Sequence, residues 1–258
     1  MNGTNAAAAD SRDNKSADRT LAIFEAFERL KRTATLRELA EVCDIPVSTC
    51  HSLVHTLINR RYLYQTTRRK DLYPTRRLLD LAATLVAHDP FLERMGPFLD
   101  ELRDATQETV ILGKRQKDQI LYLEVLESPQ TIRYSARAGA LKPLHSTCIG
   151  KVMLAALRPG ELTSWLKKHP LPRVTANTVT SQARLLEDLK EGARLGFHTT
   201  RGENVPDVTA IAVPLLVNNE LLGLAVAGPS HRMERSFADH VSLLLGAQRR
   251  VRSEGVAA

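Results

Sequence analysis

Thr35-Leu36-Arg37-Glu38-Leu39-Ala40-Glu41-Val42-Cys43-Asp44-Ile45-Pro46-Val47-Ser48-Thr49-Cys50-His51-Ser52-Leu53-Val54-His55-Thr56-Leu57-Ile58-Asn59-Arg60 decides how this chain is read. Thr35 followed three residues later by Glu38 is a capping box, which predicts a helix start. Leu36, Leu39, Ala40 and Cys43 share one helical face. Asp44-Ile45-Pro46 ends that helix, because proline drives the residue before it out of helical angles. A second helix follows, with Cys50, Leu53, Val54, Leu57 and Ile58 on its apolar side. Its other side carries Ser48, Thr49, His51, Ser52, His55 and Asn59. Two short helices joined by a tight turn form a helix-turn-helix. Short hydrogen-bonding side chains facing outward suit a recognition helix that reads base edges. An ordinary helical hairpin with a solvated polar face would show the same pattern.

The next stretch favours DNA. Residues 62–66 and Leu72-Tyr73 read as two strands around a turn at 67–71, a wing attached to the second helix. Between residues 58 and 77 stand Arg60, Arg61, Arg68, Arg69, Lys70, Arg76 and Arg77, against the single acid Asp71. Such a surplus suits phosphate contacts beside a groove. The residues expected to meet DNA are Thr35, Ser48, Thr49, His51, Ser52, His55, Arg60, Arg68, Arg69 and Lys70. Net charge over the 258 residues is +7. Residues 1–89 hold 14 Lys/Arg and 11 Asp/Glu, and residues 90–258 hold 22 and 18, so the excess is local to the wing rather than to one half. Double-stranded operator DNA is the partner this implies.

Residues 1–17 lack periodicity and read as a disordered tail; 18–76 read as the winged helix-turn-helix, with a first helix at about 19–31. Residues 77–89 read as a linker helix whose Leu78, Leu81, Ala82, Leu85 and Val86 are too apolar to stand free, which predicts a homodimer. A second domain is expected over 90–254. Its strand-like stretches are 109–113, 120–125, 131–136, 208–217 and 220–227, and its helices 90–106, 148–157, 159–168, 181–195 and 233–252. Strands fall in groups without βαβ alternation, so the class is α+β with an antiparallel sheet. Asn218-Asn219 suits a two-residue primed turn. Three cysteines without framework spacing point to a reducing cytoplasm. No apolar run is long enough for a membrane span, and no signal peptide is present.

The chain resembles the isocitrate-lyase-regulator (IclR) family of bacterial transcription factors along nearly its whole length. Three stretches carry the resemblance: the helix-turn-helix with Ile45-Pro46-Val47-Ser48-Thr49; Pro143-Leu144-His145-Ser146-Thr147-Cys148-Ile149-Gly150-Lys151; and Ala210-Ile211-Ala212-Val213-Pro214 followed by Leu224-Ala225-Val226-Ala227-Gly228-Pro229. It implies a DNA-binding dimer, often a dimer of dimers, and a C-terminal GAF-like sheet flanked by helices that binds a small metabolite. It does not fix whether the member represses or activates.

Alternation puts Ala210, Ala212 and Pro214 on one sheet face and Gly223, Ala225 and Ala227 on one face of the partner strand. Coincident small faces would leave room for a ligand; close packing of a helix on those alanines would use the same pattern. The resemblance places the effector at Cys148 and Ile149, through their backbone, and at Thr200, Ala210, Ala225 and Ala227. Gly150 joins them at the helix start, whose free N–H groups suit a carboxylate. Arg133 is a second candidate anchor. Where the family carries polar groups to bind glyoxylate this chain has alanines, which shifts the expectation to a small organic acid that is larger, flatter and aromatic. Hence the reading is a non-enzymatic regulator of a catabolic operon. The alternatives are the same kind of regulator sensing a non-aromatic metabolite, and an enzyme using His145, Ser146 and Cys148. The latter lacks an orienting acid at a recognisable spacing. A metal site from Cys43, Cys50, His51 and His55 is disfavoured because the helical stripe separates cysteines from histidines. No cofactor is expected.

Overall fold

A computed structural model describes residues 14–67 and 69–253. The chain divides into two compact units, Met1–Asp89 and Pro90–Ala258.

The first unit holds α1 (Lys15–Leu30), α2 (Leu36–Val42), α3 (Val47–Asn59), β1 (Leu63–Gln65), β2 (Leu72–Pro74) and α4 (Arg77–Ala87). The capping box is formed: Thr35 Oγ1 accepts the Glu38 N–H at 3.2 Å, and Glu38 Oε2 accepts the Thr35 N–H at 2.8 Å. The Thr35 N–H, the Arg32 guanidinium at 2.9 Å and the Thr35 hydroxyl at 3.0 Å all donate to the Glu38 carboxylate and hold its pKa down to about 2. Asp44 turns the chain between α2 and α3 at φ 51°, a left-handed angle that aspartate tolerates better than most residues. Ile23, Phe27, Leu39, Cys50, Val54 and Leu57 form the buried core, closed by Leu63 and Leu72 of the hairpin. The two strands pair Leu63 with Pro74 and Gln65 with Leu72, and Ala34 bridges to Leu72.

One boundary differs from expectation. Of the expected tail, residues 1–13 lie outside the described residues, but Asn14 caps α1 by accepting the N–H groups of Ser16 and Ala17. Helix formation therefore starts four residues early, because asparagine at the cap satisfies otherwise orphaned donors.

The second unit holds α5 (Pro90–Thr106), β3 (Thr109–Gln116), β4 (Gln119–Leu126), β5 (Leu141–Pro143), α6 (Cys148–Ala155), α7 (Pro159–Lys168), α8 (Gln182–Leu195), β6 (His198–Arg201), β7 (Val208–Val217), β8 (Glu220–Pro229), α9 (Ser230–Arg235) and α10 (Phe237–Ser253). Its six strands run β5-β4-β3-β8-β7-β6, all neighbours antiparallel. Alternation sorts the side chains into two cores. Val110, Leu112, Ile211, Val213, Leu224 and Val226 pack against Met95, Leu99 and Leu102 of α5 and Leu244 and Val251 of α10. Ile111, Tyr122, Ala212, Ala225 and Ala227 face Ile149, Val152 and Met153 of α6 and Leu185 and Leu189 of α8. Asn218 and Asn219 both have positive φ, 49° and 61°, the two left-handed angles a primed hairpin turn needs.

Two segments depart from the sequence reading. Residues 131–136 form no strand. Their backbone groups bond to side chains instead: Thr109 Oγ1 donates to Tyr134 O, and Arg232 Nη1 to Ile132 O. The helix expected over 233–252 is two helices, α9 and α10, broken at Ser236, whose carbonyl accepts the His240 N–H as the second helix begins. Strands β5 and β6, of three and four residues, are too short to announce themselves by alternation.

Candidate functional site

The DNA-facing candidates lie on α3 and the hairpin. Cys50, Val54 and Leu57 anchor α3 inward, which leaves Ser48, His51, Ser52, His55 and Asn59 exposed. Thr49 is half-buried at the edge of that face. The His51 and His55 rings stack with centroids 6.5 Å apart, and His55 Nδ1 lies 3.3 Å from Asn59 Nδ2. Ser52 Oγ donates to Ser48 O, and Thr56 Oγ1, which the sequence reading passed over, to Ser52 O. Hydroxyls engaged this way keep lone pairs for an outside donor. From Val47 to Asn59 the helix carries no Asp, Glu, Lys or Arg, so nothing on it repels or misdirects a base edge. Thr35 is exposed, but its hydroxyl serves the cap.

At the hairpin tip Arg69 and Lys70 are exposed; Arg68 lies outside the described residues. The turn is closed by Lys70 N–H to Thr66 O, Thr66 N–H to Asp71 O and Gln65 Nε2 to Lys70 O, with Lys70 at φ 54°. Arg60 lines a shallow surface hollow with Asn59, Arg61 and Arg77, and the Arg77 guanidinium sits 5.2 Å above the Tyr62 ring. Cys43 and Cys50 pack into the core while His51 and His55 face outward, so these four do not converge.

The second site is a cavity between the sheet and α6. Register brings the small residues together: Ala210 faces Ala227, Ala212 faces Ala225 and Pro214 faces Gly223. Helix α6 packs directly over Gly223, and beside it Ala210, Ala225 and Ala227 floor a cavity also lined by Cys148, Ile149 and Thr200. The space inside is about 30 Å³, roughly one water molecule. Among the described residues none that lines it is charged; the remaining lining includes Tyr122, Tyr134, Thr147, Asn204 and Val205. Of these, only Tyr122 could have been found, by carrying the β4 alternation from Ile120 onto the alanine face.

Two expected anchors are corrected. Gly150 does not line the cavity, and its N–H donates to Thr147 Oγ1 at 3.1 Å, because Thr147 is the N-cap of α6. That leaves the N–H groups of Cys148 and Ile149 in the first turn, where helix geometry offers no internal acceptor. Arg133 is not at the cavity either. Its Nε donates to Glu127 Oε2 at 2.9 Å on the surface, an ion pair that satisfies it locally.

The residues of the enzyme alternative are not arranged for attack. Burial pushes the Cys148 thiol up to about 12, far from the thiolate that nucleophilic chemistry needs. His145 is turned to Pro172 O at 2.9 Å, and burial lowers its ring below the ordinary histidine range.

Residues 83–251 match the family model of the bacterial transcriptional regulator IclR C-terminal domain, and residues 16–67 match that of the IclR helix-turn-helix domain. The chain belongs to the IclR family. Among curated IclR relatives, the transcriptional regulator BhcR of Paracoccus denitrificans is 31% identical over 228 residues, 88% of this chain and 81% of that one. IclR of Thermotoga maritima shares the fold with a TM-score of 0.74 at 21% identity, covering 92% of this chain and 98% of its own. An IclR homologue of Microbacterium hydrocarbonoxydans, solved with 4-hydroxybenzoate, gives 0.75 at 22% identity over 94% and 98%. As an IclR member the protein is a transcriptional regulator and not an enzyme, with a DNA-binding N-terminal unit and an effector-binding C-terminal unit. No helix among the described residues is long and apolar enough to cross a membrane.

Proposed function

We propose that this regulator senses a small aromatic monocarboxylic acid in the alanine-floored cavity and controls an operon for catabolism of such acids. The carrying observation is the lining: small apolar groups below, two tyrosines at the wall and no charged side chain. The acid's carboxylate is held by the N–H groups of Cys148 and Ile149 with the Thr200 hydroxyl, and its ring lies on Ala210, Ala225 and Ala227. A neutral site of this kind disfavours dicarboxylates, since a second buried charge would have no partner. The homologue that holds 4-hydroxybenzoate supports the same chemistry. A cavity of about 30 Å³ holds neither kind of acid without its wall moving outward, and a smaller non-aromatic acid, which needs less movement, is the second reading.

The DNA reading assigns Ser48, His51, Ser52 and His55 to the major groove, with Thr49 at its edge, and Arg60, Arg68, Arg69 and Lys70 to the backbone of a pseudo-palindromic operator. Two-fold DNA calls for a two-fold protein. Helix α4 supplies the surface for a homodimer, since Leu79, Leu85 and Val86 are each 60% exposed or more. Calorimetry with benzoate, 4-hydroxybenzoate, pyruvate and glyoxylate tests the effector reading: tighter binding of the aromatic pair is expected, and binding of pyruvate or glyoxylate alone would overturn it.

A further inference from the structure

Lys151, one turn into α6, is 2% exposed. Its Nζ donates to Glu203 Oε1 at 2.7 Å, Asp188 Oδ2 at 3.3 Å and Thr199 O at 3.4 Å. All three ammonium donors are therefore used, on three different elements: the loop after β6, helix α8 and strand β6. A buried ion pair of this kind adds little net stability over an apolar replacement, but breaking it is costly. Its position is the informative feature. Lys151 stands three residues after Cys148, and Glu203 immediately precedes Asn204 and Val205. Cys148, Asn204 and Val205 all line the effector cavity. The ion pair thus ties the loop that lines that cavity to the helix that also lines it.

Other bonds hold the two ends of the loop; at its far end Val205 O accepts the Val208 N–H and Asp207 O the Ser230 N–H. The Thr175 and Thr178 hydroxyls donate to the carbonyls of Gly202 and Glu203, at 2.6 and 2.7 Å. Beyond Glu203 the side-chain bond toward α6 is Ser146 Oγ to Asn204 Oδ1, long at 3.4 Å. Glu203 Oε2 is buried without a donor among the described residues, so the carboxylate's hold on α6 rests on Oε1 alone.

We propose that Lys151, acting through Glu203, is the positioning residue of the effector cavity: the pair holds the Asn204–Val205 wall against the first turn of α6, and the wall swings out when the pair yields. The inference rests on reading this cavity as the effector site, and it explains how a space of about 30 Å³ admits an organic acid.

Cys148 supplies a ligand-free readout. It lines the cavity and is 4% exposed, so its alkylation by iodoacetamide, followed by peptide-resolved mass spectrometry on the full chain, reports opening. Glu203→Ala leaves Lys151 with Asp188 and Thr199 and removes only the tie. It is expected to raise the Cys148 labelling rate about tenfold, while backbone exchange of β3 and β8 stays at the wild-type rate. Should that variant fail to fold, Glu203→Gln keeps the shape and weakens the bond by removing its charge, with an expected rise of about threefold. Unchanged labelling in the folded variant overturns the proposal. So does a rise matched by equal acceleration of exchange in β3 and β8, which would make the pair merely structural. Calorimetry of the wild type with 4-hydroxybenzoate judges the effector reading separately: faster Cys148 labelling without binding of that acid supports the positioning role and counts against the ligand.

Discussion

Ile149 lies directly over Gly223: a Cβ placed on that glycine would come within 2.6 Å of Ile149 Cγ2 and 3.2 Å of its Cβ. The contact sets the height of α6 above the sheet, and with it the depth of the neighbouring cavity. The branched Ile149 side chain is 1% exposed, and its only free space is the small cavity it lines. Gly223→Ala is therefore expected to destabilise the C-terminal unit by about 1–3 kcal/mol through overpacking. The unfolding midpoint in urea, with an unchanged slope, measures it.

Ala210 gives the cleanest change to the cavity. Ala225 is fully buried opposite Ala212, so a large residue there strains the sheet itself. Ala210 is half-buried at the cavity's edge. Ala210→Val is expected to weaken effector binding about tenfold or more by occupying the floor, and to leave operator affinity and the melting temperature near wild type. Calorimetry against the acid identified for the wild type checks the first, and DNA binding without effector checks the second.

His55 and Arg69 should fail differently. His55→Ala removes a side chain facing outward from α3 and is expected to cost about 1–3 kcal/mol on the operator while relaxing base preference. Arg69→Ala removes a wing charge and should weaken all sequences alike, with the salt slope reduced by about one. Titrations on operator and scrambled duplexes at several salt concentrations separate the two. If the Arg69 variant lost affinity only on the operator, the wing would be reading bases.

The DNA-binding unit was legible because its signals are local. Thr35 and Glu38 sit three apart, Pro46 stops a helix, and the apolar stripe from Cys50 to Ile58 needs no distant partner. The long β7–β8 hairpin was legible for the same reason, since Asn218-Asn219 and strict alternation fix its register. The cavity was only half legible. Its floor follows from that register, but Tyr134 reaches it from an irregular segment held by Thr109, and Asn204 and Val205 from a loop held by Thr175, Thr178 and Lys151. Side-chain bonds between residues 25 or more apart leave no periodic trace. Arg133 and Gly150 failed for a related reason: each had a nearer partner, Glu127 and Thr147, that spacing alone did not favour over a ligand.

Helix α4 should fail as an interface if charged. Leu81 and Leu85 are 43% and 64% exposed and lie one turn apart. Leu81→Glu with Leu85→Glu is expected to convert a dimer to monomer in sedimentation at micromolar concentration and to abolish cooperative operator binding. A double variant that still sediments as the wild type does would place the two-fold contact elsewhere.

Acid should loosen the C-terminal unit through His198. This side chain, on β6 against Gly192 of α8, is 5% exposed, and its Nδ1 has no hydrogen-bond partner among the described residues. It is wedged so closely that a Cβ on Gly192 would meet that nitrogen. Burial first, and the nearby Lys151 second, lower its pKa from 6.5 to about 4. Below pH 6.5 the unfolded chain takes up a proton that the folded one refuses, so stability falls as pH drops from about 6.5 to about 4 and the loss then levels off. His198 alone contributes on the order of 3 kcal/mol to that loss. Glu203 acts with the opposite sign: burial raises its carboxyl above the ordinary range, so its protonation favours the folded state in acid. Comparing the wild type with His198→Gln isolates the histidine. Urea midpoints at pH 7.5 and 4.5 are expected to differ less in the variant than in the wild type, and equal differences would mean that His198 takes up its proton as readily folded as unfolded.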